Sequence, residues 1–139
     1  MWRVGFAEEV RDRWVTAGLI TAADFFKGPL AVVPSGPHVG AGPFVEFTGT
    51  GGLPSELTQD NAIGYDCPSA QIIVTADSPS VAEAKAKALR ENIMSVRNIE
   101  LGTTWYRQIT ADQQVFPFPL DAAVRPRSGF NITAIKRPS

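Results

Sequence analysis

The chain has 139 residues, 44% apolar and 19% charged, with 13 basic residues against 14 acidic ones. That length suits one domain with one core, and a net charge of −1 supplies no bulk attraction for nucleic acid. The single cysteine, Cys67, excludes an intrachain disulfide and points to a reducing interior.

No stretch reaches the roughly 20 apolar residues of a membrane helix. The N-terminal residues meet charge at Glu8, Glu9, Arg11, Asp12 and Arg13 with no apolar run of signal-peptide length, so secretion is not expected. The charged share lies below the usual value of about 25%, which leaves neutral surface for burial against partners.

The first element reads as a helix from Gly5 to Ala17, because Phe6, Val10, Trp14 and Ala17 recur at helical spacing. Glu9 and Arg13, four apart, are expected on its solvated face, and Gly18 ends it. Thr21 to Phe26 reads as a short helical turn with Phe25 and Phe26 packing inward. Leu30 to Val33 reads as a strand, and Pro34 to Pro43 as a turn or wide hairpin connection. Pro43 to Thr48 alternates as a strand with unequal faces.

The segment from about Gly49 to Asp66 opens on Gly49-Thr50-Gly51-Gly52-Leu53-Pro54 and stays polar, which predicts a long loop or arm. Ala70 to Ala76 reads as a central strand with Ile72, Val74 and Ala76 on one side. Ser80-Val81-Ala82-Glu83 reads as a capping box opening a helix. Ala82, Ala86, Leu89, Ile93 and Val96 trace its buried face, with Glu83–Lys87 and Lys87–Glu91 on the other. Thr103 to Thr110 and Gly129 to Ile135 read as strands. Phe116-Pro117-Phe118-Pro119 is extended but cannot lie centrally, since proline lacks a donor.

The expected fold is a single α+β domain spanning 1–139. It holds one mixed, mainly antiparallel sheet of about four to five strands, with two helices packed on one face. The Ala70 and Trp105 strands, joined through a helix, permit a parallel crossover.

The inventory for chemistry is thin. His38 is the only histidine, and it sits in a Pro/Gly loop. Cys67 precedes Pro68 and reads as a small apolar residue. Metal-ligand spacings are missing from the sequence. Gly49-Thr50-Gly51-Gly52 lacks the Gly-Lys-Ser/Thr ending of a phosphate loop and reads as a tight turn. No residue set supplies a nucleophile, a base and an oxyanion partner together. Neither catalysis nor a cofactor is expected.

Arg97, Arg107, Arg125, Arg127, Lys136 and Arg137 cluster late in the chain near Trp105 and Tyr106. This leaves open a nucleic-acid or ligand-binding module beside a protein interface anchored by Trp, Tyr and Arg.

One family joins these features. Phe47-Thr48-Gly49-Thr50-Gly51-Gly52-Leu53-Pro54, then Tyr65-Asp66-Cys67-Pro68-Ser69-Ala70-Gln71-Ile72-Ile73-Val74, are followed by the alanine-rich helix. Asp121, Arg125 and Phe130-Asn131-Ile132 come after it. In order and spacing this series resembles the tail terminator (tail completion, or minor capsid) proteins of long-tailed bacteriophages. The chain departs from them in carrying Thr75-Ala76 where the family often has a basic residue.

The resemblance implies a virion protein assembled in the host bacterial cytoplasm. Such a protein closes a ring, a hexamer in this family, on the head-proximal end of the tail tube. There it ends elongation and offers a surface to the head connector. Other neck proteins, including head-to-tail adaptors, share this size and order. The implied partners are further copies of the chain, the tail tube protein and the connector, with no membrane and no nucleic-acid recognition. Candidate interface residues are Gly51, Gly52, Leu53, Tyr65, Gln71, Trp105, Tyr106, Phe116, Phe118, Arg125 and Arg127.

Overall fold

The computed structural model describes residues 5–27, 43–50, 66–111, 113–118 and 126–137. The expected strand Leu30–Val33, the turn that follows it with His38, and nearly all of the arm lie outside the described residues.

Helix α1 spans Phe6–Thr16 and buries Ala7, Glu9, Val10 and Trp14. Gly18, at φ +77°, ends it with two reverse bonds, Gly18 N to Val15 O and Leu19 N to Trp14 O, both 3.0 Å. This is a Schellman close, and only glycine enters it without strain. Strand β1 (Phe25–Lys27) follows a 3₁₀ turn at Ala22–Asp24. Then come β2 (Phe44–Gly49), β3 (Ser69–Thr75), helix α2 (Pro79–Met94), β4 (Arg97–Leu101), β5 (Thr104–Ala111), β6 (Phe116–Phe118) and β7 (Arg127–Lys136).

The sheet runs β1-β2-β3-β7-β5-β4, with β6 also paired to β7. Among the described strands only β1 and β2 pair in parallel; the other pairings are antiparallel. The last strand in sequence is therefore central in space. One edge of β7 holds β3 along Arg127–Thr133. The other holds β6 at Arg127–Gly129 and β5 from Ile132 to Lys136. Before β3 begins, Asp66 and Pro68 already bond Lys136 and Ala134 of β7. The β3 and β5 strands run in the same direction, as the helical connection between them allows, but β7 lies between them.

Both helices cover one face of the sheet. Val10 and Trp14 of α1, Ala86, Leu89 and Ile93 of α2, and Val45, Ile72, Val74, Tyr106, Ile109, Phe130 and Ile132 of the sheet form one core. The Trp14 indole donates to the Leu89 carbonyl at 3.2 Å, which pins α1 to α2 while burying its ring.

Four sequence expectations are corrected. Among the described residues the sheet has seven strands rather than about four to five. The uncounted β1 is only three residues long. The uncounted β4 reads Arg-Asn-Ile-Glu-Leu, holds Asn98 at φ 52°, and shows no apolar alternation because it is an exposed edge. Phe25 and Phe26 lie in a strand, not a helical turn, so they point to opposite faces.

Helix α2 begins before Ser80, and its cap is Ser78, whose Oγ accepts from Val81 N at 3.3 Å. Pro79 takes the first helical position, where a missing N–H costs nothing. Glu9 is buried, not solvated, at 2% exposure, because Tyr106 from β5 reaches it with a hydrogen bond of 2.7 Å.

Candidate interaction surface

Alternation along β3 and β7 sorts two faces. Ala70, Ile72, Val74, Phe130, Ile132 and Ala134 meet the helices. Ser69, Gln71, Ile73, Thr75, Asn131, Thr133 and Ile135 form the second face, on which no described helix packs. Cross-strand partners share a face, so Thr48, Gln71 and Asn131 stand in one row across β2, β3 and β7. The Asn131 amide donates to Gln113 Oε1 at 2.7 Å, and the Ser69 and Thr133 hydroxyls meet at 3.3 Å. The middle of this face is polar and carries hydrogen bonds among its own side chains.

The ends of β7 differ from its middle. At one end β6 sets Phe116 opposite Gly129 and Phe118 opposite Arg127. The two phenyl rings stack at 4.8 Å, and the Arg127 guanidinium lies 5.9 Å from the Phe118 ring centre. Gly129 makes this possible. A Cβ there would come 2.2 Å from the Ile72 carbonyl oxygen and 2.9 Å from the Phe118 ring. At the other end Trp105 carries the Arg137 guanidinium 5.5 Å from its ring centre, and Arg137 N donates to the Trp105 carbonyl at 2.9 Å. These are cation–π pairs, each with a half-buried ring. Ten residues of β7 separate the two patches by roughly 30 Å.

The structure therefore divides the candidate residues. Phe116, Phe118 and Arg127 come together; Trp105 stands apart from them with Arg137; Gln71 lies between, in the polar row. Tyr106 leaves the set. It is fully buried on the helix face, with its hydroxyl bonded to Glu9, and burial together with that bond holds its phenol far above its usual range. Gly51, Gly52, Leu53, Tyr65 and Arg125 lie outside the described residues.

Sequence reasoning singled out Arg137 only as part of a basic cluster. Its pairing with Trp105 follows from β7 lying beside β5, 32 residues away, a distance no local pattern spans. A bulge at Arg107, between the Tyr106 and Gln108 pairings, keeps Tyr106 and Ile109 on the same face although they are three apart.

Among the described residues, no group of three or more His, Cys, Asp or Glu side chains could hold a metal ion. Cys67 is buried and takes part in no disulfide. No described helix is long and apolar enough to cross a membrane.

No protein-family profile matches the chain, and no curated protein matches it. Among solved structures, the chain is similar to one chain of the virion of a native gene transfer agent particle, at 17% sequence identity and a TM-score of 0.61. The match covers 99% of this chain and 100% of the other. At that identity the likeness establishes the fold: this α+β arrangement, over its whole length, is one that a chain of that virion also adopts.

Proposed function

We propose that this chain is a structural virion protein of the phage type, a tail terminator that closes a ring on the head-proximal end of the tail tube. The observation that carries the reading is the end-to-end fold match with a chain of a gene transfer agent virion. It meets independently the order of motifs from Phe47 to Ile132 that resembles terminators. A growing tube presents subunit edges that recruit more subunits. A cap must occupy those edges without offering the same template again.

A ring satisfies this need through head-to-tail contacts that close on themselves, and such contacts require two different patches on each subunit. The aromatic–arginine patches at the two ends of β7 are our candidates for that pair. The six-fold number and the partners, tube protein below and connector above, come from the resemblance. A nucleic-acid role is less well supported: Tyr106 is withdrawn into the core, and arginines of the chain itself already lie against Phe118 and Trp105.

The test is reconstitution. Purified chain is added during polymerisation of the cognate tube protein, and tubes are measured by negative-stain electron microscopy. Shorter tubes with a ring at one end support the reading. Tubes of unchanged length with bare ends would refute termination.

A further inference from the structure

We propose that a cleft on the helix side of the molecule is a receptor for an arginine side chain presented by a partner protein. The cleft, of about 380 Å³, lies between the C-terminal half of α1, the end of α2 and the β4–β5 turn. Glu9 forms its floor. Glu9 is 2% exposed; its Oε1 accepts from the Tyr106 hydroxyl, and its buried Oε2 has no hydrogen-bond partner. Asn92 Oδ1, also lining the cleft, is a second buried acceptor without a partner. Native interiors rarely leave such atoms unpaired, since each has given up its hydration with no bond in return.

The turn keeps that carboxylate oxygen uncovered. Gly102 and Thr103 join β4 to β5, with Gly102 at φ +61°. A Cβ on Gly102 would sit 3.2 Å from Glu9 Oε2, so a side chain there would crowd that unpartnered oxygen. Two exposed carboxylates, Asp12 and Glu100, stand on the rim. Asp12 is held by Arg11 at 3.1 Å. Against these three acids the lining holds one cation, Arg13, whose Nη2 donates to Ser95 Oγ at 2.8 Å and whose Nε is a buried donor without a partner.

The ligand must therefore be cationic and rich in donors. A bound metal is disfavoured, since the three carboxylates are not placed close enough together to hold one ion. A carboxamide would leave the acidic excess uncompensated. A guanidinium presents several N–H groups in a planar fork, which suits two separate acceptors and an acidic rim.

This inference does not need the ring. Isotope-labelled full-length chain is titrated with methylguanidinium chloride, and with tetramethylammonium chloride at equal ionic strength, while backbone amides are followed by NMR. Saturable shifts at Thr16, Ala17, Leu101 and Gly102 with methylguanidinium alone are expected. The Asp12→Asn/Glu100→Gln variant, altered only at the exposed rim, is expected to bind roughly tenfold more weakly. A blocked Gly-Arg-Gly peptide should bind at least as well as free arginine.

Equal shifts with both cations, or no saturation, would overturn the site. A preference for free arginine would reassign it to a small molecule. Cleft resonances that move with protein concentration alone would reassign it to a second copy of the chain. None of these outcomes touches tube termination, and failure of termination leaves this site standing.

Discussion

The contact between Glu9 and Tyr106 shows how far a single residue can depart from its local pattern. Four residues from Arg13 on an amphipathic helix, Glu9 has every mark of a surface acid. Its burial is decided by a hydroxyl 97 residues away. The cost of sinking a carboxylate is offset in part by that bond and strengthens it in turn.

The Tyr106 phenol is held protonated by burial and by the neighbouring carboxylate, so its folded value lies above the unfolded one near 10. The folded state then binds more protons than the unfolded state above roughly pH 10, and stability falls as pH rises there. Below that range the contribution is complete. In a Tyr65→Phe background, phenolate absorbance should remain low until the alkaline unfolding transition and then rise with it. A phenol that titrates near 10 while the fold persists would contradict the burial. Tyr106→Phe leaves Glu9 Oε1 unpaired, and should lower the urea unfolding free energy at neutral pH by about 1–3 kcal/mol.

Elements were legible in proportion to how local their causes are. Helix α2 carries its own period, and every residue expected on its buried face, Ala82, Ala86, Leu89 and Ile93, is buried, as is Val96 just beyond it. Strands β3 and β7 show alternation because one face of each meets helices. The β1 and β4 strands show none. The first is too short, and the second is a charged edge whose partner supplies the order.

At the start of α2 the capping box expected at Ser80 gives way to a cap at Ser78, because Pro79 fixes the first helical position. Ser78→Ala should cost about 1 kcal/mol in thermal or urea unfolding. Ser80→Ala should cost a few tenths of that at most, since its hydroxyl only approaches that of Ser78, at 3.3 Å. Equal losses, or a larger loss at Ser80, would restore the capping box. The pair Glu83–Lys87, at 2.9 Å and exposed on both sides, adds little to either measurement.

For the whole molecule, the central place of β7 is the fact that matters most. It pairs with three strands, lines the core on one side, and carries an aromatic–arginine patch at each end of the other. The resemblance pointed to a ring, and the candidate residues named on its strength formed one pool. The sheet order sets Phe116, Phe118 and Arg127 at one end and Trp105 at the other, which sequence could not do, because the division depends on which strands flank β7.

In a head-to-tail ring one patch of each subunit meets the other patch of its neighbour, so the two can be broken separately. Trp105→Ser and Phe118→Ser each alter a half-buried ring on the face away from the helix-packed core, and both variants should remain folded by circular dichroism. Each alone should fail to form rings under conditions where the unaltered chain does, as read by native mass spectrometry. Mixed in equal amounts, the two should form a heterodimer, since each keeps the patch the other lacks, and should go no further. Rings from either single variant would remove that patch from the interface. A mixture that stays monomeric would show that the two patches do not meet each other.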